Sequence, residues 1–195
     1  MSIRARIRHF RRRLRADAQK GSAAIEFAFV APIFFVLLLG IFESAIMFFS
    51  QEVLQSAMGD MGRMIRTGQT SCYTTGSGGA CQAMTQDQFR SLLCAKVAPL
   101  LQCNSNLQID VQAFNGYTNI GNAPPLTAGN TLDPTLANFQ LGGACDVVLA
   151  RAFYTWPVVT PVMTWFLVNM AGGKHLMIGA TAFRNEPFNA GVGGC

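Results

Sequence analysis

Lys20-Gly21-Ser22-Ala23-Ala24-Ile25-Glu26-Phe27 joins a basic leader to an apolar run that continues to Phe42 without a charge. The run from Phe27 to Phe42 is 16 residues long, Glu43 ends it, and Ser44–Phe49 extends it weakly. On a helix rising about 1.5 Å per residue, Glu26 and Glu43 stand roughly 26 Å apart. A hydrocarbon core is about 30 Å thick, so the two acids bracket a bilayer. An ionised carboxylate left in hydrocarbon costs roughly 2.5–3.5 kcal/mol on insertion scales. Glu26 therefore has a task, unless it stays at the interface. Pro32 removes one backbone donor inside the run and predicts a kink there.

Working outward towards the amino end, residues 1–21 hold 8 of the 15 basic residues and one acid, Asp17. The rest of the chain is left with seven bases against nine acids. The basic pI thus belongs to the leader, and nucleic-acid binding by the folded part loses its main support. Arginines on the amino side of a single span orient that side to the cytoplasm and everything after residue 50 to the opposite side. Ile3, Ile7, Phe10 and Leu14 fall on one face of a helix, which would lie on an anionic inner leaflet. A disordered basic tail is the other reading, and both give the same topology. A Sec signal fits poorly, because the run is long, starts with an acid and lacks a small-residue cleavage boundary after it. Twin-arginine and mitochondrial signals fit no better: no polar, weakly hydrophobic segment follows Arg11-Arg12-Arg13, and serine is scarce.

Working outward towards the carboxyl end, Val53/Leu54, Ala57/Met58, Met61 and Ile65 keep a helical spacing. Gly59 and Gly62 weaken this helix and admit close approach of another element, expected to be a helix. Gly68 and the tract Thr74–Gly79 end it in a loop. That tract is no phosphate-binding loop, since no Gly-Lys-Ser/Thr follows. Thr85–Leu101 is predicted helical with Thr85 as N-cap. Leu107–Phe114 alternates as a half-buried strand, and Asn115-Gly116 signals a hairpin returning over Tyr117–Ile120. Residues 121–143 have the composition of a long surface loop. Asp146–Trp156 and His175–Phe183 are predicted strands. Val158–Met170 is too short and polar for a second span, and is expected to form a short amphipathic helix near the bilayer or on the sheet. The fold class expected is α+β: a long transmembrane helix followed by a small antiparallel-sheet head with helices.

Six cysteines, Cys72, Cys81, Cys94, Cys103, Cys145 and Cys195, all lie on the side predicted to be exported, where an oxidising periplasm permits disulfides. Their separations of 9, 13, 9, 42 and 50 contain no C-x-x-C. Histidine is limited to His9 and His175, so zinc ligation is a poor fit and no metal is expected. Three disulfides are expected among about fifteen possible connectivities. The locally cheapest are Cys94–Cys103, closing a helix end, and Cys72–Cys81, closing the Gly-rich loop; Cys145–Cys195 is what remains. His175 has no nucleophile or acid beside it in sequence, and the head's acids, Asp87, Asp110, Asp133, Asp146 and Glu186, are dispersed singly. Neither a catalytic set nor a cofactor is expected, and the chain is not read as an enzyme.

A basic leader, a glycine and a glutamate five residues after it resemble the processing site of type IV prepilin-like proteins. The longer stretch Gly21-Ser22-Ala23-Ala24-Ile25-Glu26-Phe27 with Pro32, and the later Ser56-Ala57-Met58-Gly59-Asp60-Met61-Gly62-Arg63, resemble the TadE family of the tight-adherence (Flp) pilus. Ala180–Phe188 resembles the closing strand of part of that family. The resemblance implies a minor pilin or pseudopilin of the tight-adherence secretion system. It also implies processing at Gly21, Ser22 and Glu26 by an inner-membrane prepilin peptidase, with other pilins and Tad assembly proteins as partners. Phe27, where major Flp pilins usually carry tyrosine, and the large cysteine-rich head argue against a major filament subunit. The division expected is a leader 1–21, a transmembrane and amphipathic helix 22–68, and a periplasmic domain 69–195 that processing would free to associate with the pilus. A permanently anchored, uncleaved periplasmic adaptor of the same machinery is the alternative.

If three disulfides form, alkylation of the native protein without reductant labels no cysteine. Two or more freely labelled thiols would instead mean that the cysteines are independent buried hydrophobes.

Overall fold

The computed structural model describes residues 3–73, 82–98, 100–103, 105–121 and 124–188, with the backbone alone for residues 3–20. Helix α1 spans Ile3–Arg66 and contains Pro32. It is followed by α2 (Gln86–Val97), β1 (Leu107–Phe114), β2 (Val147–Pro157), the single turn α3 (Thr164–Leu167) and β3 (Lys174–Arg184). The chain divides into two compact units, residues 1–43 and 44–195. The boundary expected at residue 68/69 falls inside the second of these. Of the two readings of the leader, the helical one describes its backbone.

In the first unit, the segment from Gly21 onward is apolar and almost wholly exposed. Ile25, Phe27, Phe29, Ile33, Leu37 and Ile41 are each more than half exposed. Within Gly21–Arg66 the most apolar 18-residue window has a mean hydropathy of 2.5. An apolar surface of that length is unstable in water and suits a hydrocarbon core. Among the described residues it is the one helix long and apolar enough to cross a membrane.

In the second unit, β1, β2 and β3 form one antiparallel sheet in that order. Side chains alternate between its two faces, and the register sets Ile109 beside Ala152 and Gly179, and Val111 beside Ala150 and Thr181. This face packs on the C-terminal part of α1, through Leu54, Met58, Met61 and Ile65, and on α2, through Phe89, Leu93 and Val97. The helix lies very close to β3. A Cβ on Gly179 would stand 2.9 Å from Met58 and 3.0 Å from the Leu54 carbonyl oxygen. A Cβ on Gly62 would stand 2.6 Å from Thr181. The close approach expected of Gly62 is thus made to a strand and not to a second helix.

Both sheet edges are closed. Gln55 accepts from the Ala180 amide at 3.0 Å and donates to its carbonyl at 2.9 Å, while Gln51 donates to the Ile178 carbonyl at 2.7 Å. On the other edge, the Val111 amide donates to the Asn138 carbonyl and the Gln140 amide to the Val111 carbonyl, both at 2.8 Å. Open edges invite pairing with foreign strands; here glutamine side chains and a strap of chain occupy them.

Local signals explain the ends of the elements. Thr85 and Gln88 form a capping box that starts α2, satisfying two orphan donors reciprocally. Gly68, at φ +75°, ends α1, with its amide bonded to Ile65 and that of Gln69 to Met64. That is the Schellman pattern, which requires a left-handed residue. Two expectations are corrected. Residues 117–120 form no return strand: Tyr117–Asn119 is a 3-10 turn, and β1 pairs with β2 instead. Long-range packing of Ile109 and Val111 under α1 outweighs the local turn signal. Residues 124–141 are not a plain surface loop either, since Leu136 is buried and Phe139 packs edge-on against Phe89. The Thr74–Gly79 tract lies outside the described residues.

Gly59 and Gly62 share a helix but not a fate. A Cβ on Gly59 meets nothing within 4 Å. Gly59→Ala is therefore expected to stabilise the protein by about 1 kcal/mol through helix propensity. Gly62→Ala is expected to destabilise it, because overpacking costs about 1–3 kcal/mol. Thermal melts of the two variants in detergent check this, and shifts of the same sign would contradict the packing.

Candidate functional site

Ser22 and Glu26 come together on one face of α1, and Gly21 directly precedes them in the same helix. The Ser22 hydroxyl donates to Glu26 Oε1 at 3.2 Å, across the four-residue spacing that puts two side chains on one helical face. A Cβ on Gly21 would meet nothing within 4 Å, so its place in this helix does not demand glycine. Glu26 is exposed at the head of the apolar surface, as a carboxylate at a membrane boundary must be to keep its hydration.

The cysteines are placed as follows. Cys94, in the last turn of α2, is bonded to Cys103. Cys72 and Cys145 are disulfide-bonded as well. Their assignment to Cys81 and Cys195 lies outside the described residues, because Cys81 and Cys195 do.

Sequence reasoning missed the charged centre of the head. Asp110 on β1 and Arg151 on β2 stand opposite each other in the register. Asp110 is fully buried and Arg151 8% exposed. Arg151 donates to Asp110 Oδ2 through Nη2 at 2.7 Å and Nε at 3.0 Å, and its guanidinium lies over the Phe153 ring. Gln112 Nε2 and both the amide and side chain of Asn138 also donate to the Asp110 carboxylate. Burial acts to raise the Asp110 pKa. The hydrogen bonds from Gln112, Arg151 and Asn138, with the Arg151 charge, outweigh it and hold the carboxyl below its ordinary range. Asn138 belongs to the strap, so one carboxylate fixes the β1–β2 register and the strap together. The available signal was one arginine in the otherwise apolar strand Val147–Trp156. A charge buried there needs a counter-ion on a neighbouring strand.

His175 sits at the start of β3, where its Nδ1 is bonded to the Leu167 carbonyl. It braces the β2–β3 connection. Asp60 on α1 is held below the ordinary carboxylate range by its hydrogen bond to Lys96 and by the Lys96 charge. That bond, 2.7 Å long, is on an exposed surface and contributes little to stability.

An exposed apolar helix, preceded by a basic stretch and followed by a small α+β head, defines a single-pass membrane protein. Residues 21–69, 49 of the 195, match the family model described as TadE-like protein. Over this segment the chain is similar to that family. No curated protein and no solved structure matches the chain.

Asp110→Asn leaves the Arg151 charge buried without its partner and is expected to cost about 3 kcal/mol or more. Because the folded pKa of Asp110 is depressed, its contribution is fully present above the unfolded value of about 3.9 and is lost as pH falls below that. Denaturant melts should show wild-type stability falling below about pH 4, with a smaller fall in Asp110→Asn. Equal slopes would contradict the role given to this carboxylate.

Proposed function

We propose that the chain is a minor pilin or pseudopilin acting in assembly of a tight-adherence pilus, with a structural and not a catalytic role. The TadE-like segment, opening on Gly21 with Ser22 bonded to Glu26, is the observation that carries this reading. In it, a prepilin peptidase cuts after Gly21, where the missing side chain lets the backbone extend in the peptidase site. The new Ser22 amine then lies four residues from the Glu26 carboxylate on one helical face. The two charges pair within a subunit, or between neighbours as a subunit leaves the bilayer. Either pairing offsets the desolvation of Glu26. The arginines of the leader hold the amino end in the cytoplasm. The head then lies in the periplasm, where its disulfides are stable. Other pilins and Tad assembly proteins are the partners.

One observation favours the alternative, an uncleaved adaptor of the same machinery. Helix α1 runs through Gly21, and a helical bond must unwind before a peptidase can hold it extended. The adaptor keeps residues 1–21 and uses them as a clamp on the inner leaflet.

Intact mass of the protein from its native host separates the two. The pilin reading expects a wild-type mass without residues 1–21, and full length for Gly21→Ala. The helix accepts that alanine, so a retained leader reports failed processing and not misfolding. A wild-type protein that keeps its leader establishes the adaptor, and a normally processed Gly21→Ala removes the site from Gly21.

A further inference from the structure

We infer that the β2–β3 connection is a second membrane contact, with Val159, Val162, Trp165 and Phe166 seated in the interfacial layer of the lipid bilayer that α1 crosses. The inference rests on α1 being a membrane span.

Three observations carry it. The first is exposure that water does not favour. Trp165 is 89% exposed, Val159 80% and Phe166 79%, and Pro161, Val162, Trp165 and Phe166 line one apolar cleft. Scattered single hydrophobes on a surface are ordinary, whereas a contiguous group including tryptophan marks an interaction site.

The second is that the connection is braced and not slack. The Val158 amide bonds to the Gly173 carbonyl, those of Asn169 and Met170 to Lys174, and that of Ala171 to Asn130. Asn169 Oδ1 accepts from the Leu176 amide at 2.7 Å, and Met170 is buried beside Phe153. Leu167 packs on the main core while its neighbours Trp165 and Phe166 point away from it. The scaffold holds these rings outward.

The third is place, and it selects lipid as the occupant. His175 and Leu176, at the foot of the connection, line a groove with Met47, Phe48 and Gln51. Met47 follows Glu43 by four residues, at most about 14 Å of chain however it is arranged. The groove at the foot of the connection thus includes a residue only four positions along the chain from the end of the span. Ile46, Phe48 and Phe49, in the same compact unit and next in sequence to the span, are also exposed apolar residues. Residues 158–173 carry no charged side chain, and the adjacent Lys174 is exposed. Burial of this tip in an interface desolvates no ion and leaves a cation at headgroup level. Tryptophan is enriched at that depth because its ring is amphipathic.

The test uses the full chain reconstituted in phosphatidylcholine–phosphatidylglycerol vesicles, with and without chain-brominated lipid. The emission of Trp165 is taken as the difference between wild type and Trp165→Phe, a change at an exposed site that leaves the core intact. The inference expects this difference to lose most of its intensity to lipid bromine and little to aqueous iodide. Quenching by iodide alone would overturn it. Protection from both quenchers would overturn it too, and would assign the patch to a protein surface such as a second copy. Leu38→Trp in the Trp165→Phe background reports the span separately: bromine quenching there with none at Trp165 refutes the docking alone. No quenching at either position refutes the span, and the docking with it.

Discussion

The packing of Leu54, Met58, Gly62 and Ile65 on the sheet face of Gly179, Thr181 and Phe183 is the contact on which the rest of the head depends. Three strands with one apolar face cannot remain in water uncovered. The C-terminal part of α1 covers that face, and its glutamines close the β3 edge. Glycines at 62 and 179 let the two backbones come close enough for both. The helix belongs to the core of the head and is more than a stalk beneath it.

One helical sequence thus satisfies two solvents. From Phe27 to Phe42 its apolar residues surround the axis and suit hydrocarbon. From Leu54 to Ile65 they narrow to a stripe facing the sheet, with Glu52, Asp60 and Arg63 exposed.

The long-period signals were legible in the sequence. The span, the stripe after it, the capped α2 and the two strands beginning near residues 147 and 174 all follow from periodicity and end signals, because each pattern recurs over many residues. The Asn115-Gly116 hairpin failed because a turn signal is local, while the partner of β1 is chosen by burial of Ile109 and Val111 under α1. The strap 124–141 looked like a surface loop because its hold is made by backbone groups and by Asn138, Gln108 and Asp110, which have no periodicity. The Gly21–Glu26 segment was legible as a motif, whereas the Asp110–Arg151 pair needs the strand register before its two charges can be seen to meet.

The central claim, that residues 54–65 are core to the head, is tested by comparing two fragments made under oxidising conditions in mild detergent, 44–195 and 69–195. The account predicts that 44–195 unfolds in one cooperative transition, and that 69–195 shows none because its sheet face lies open. A cooperative transition of equal stability in 69–195 would contradict it.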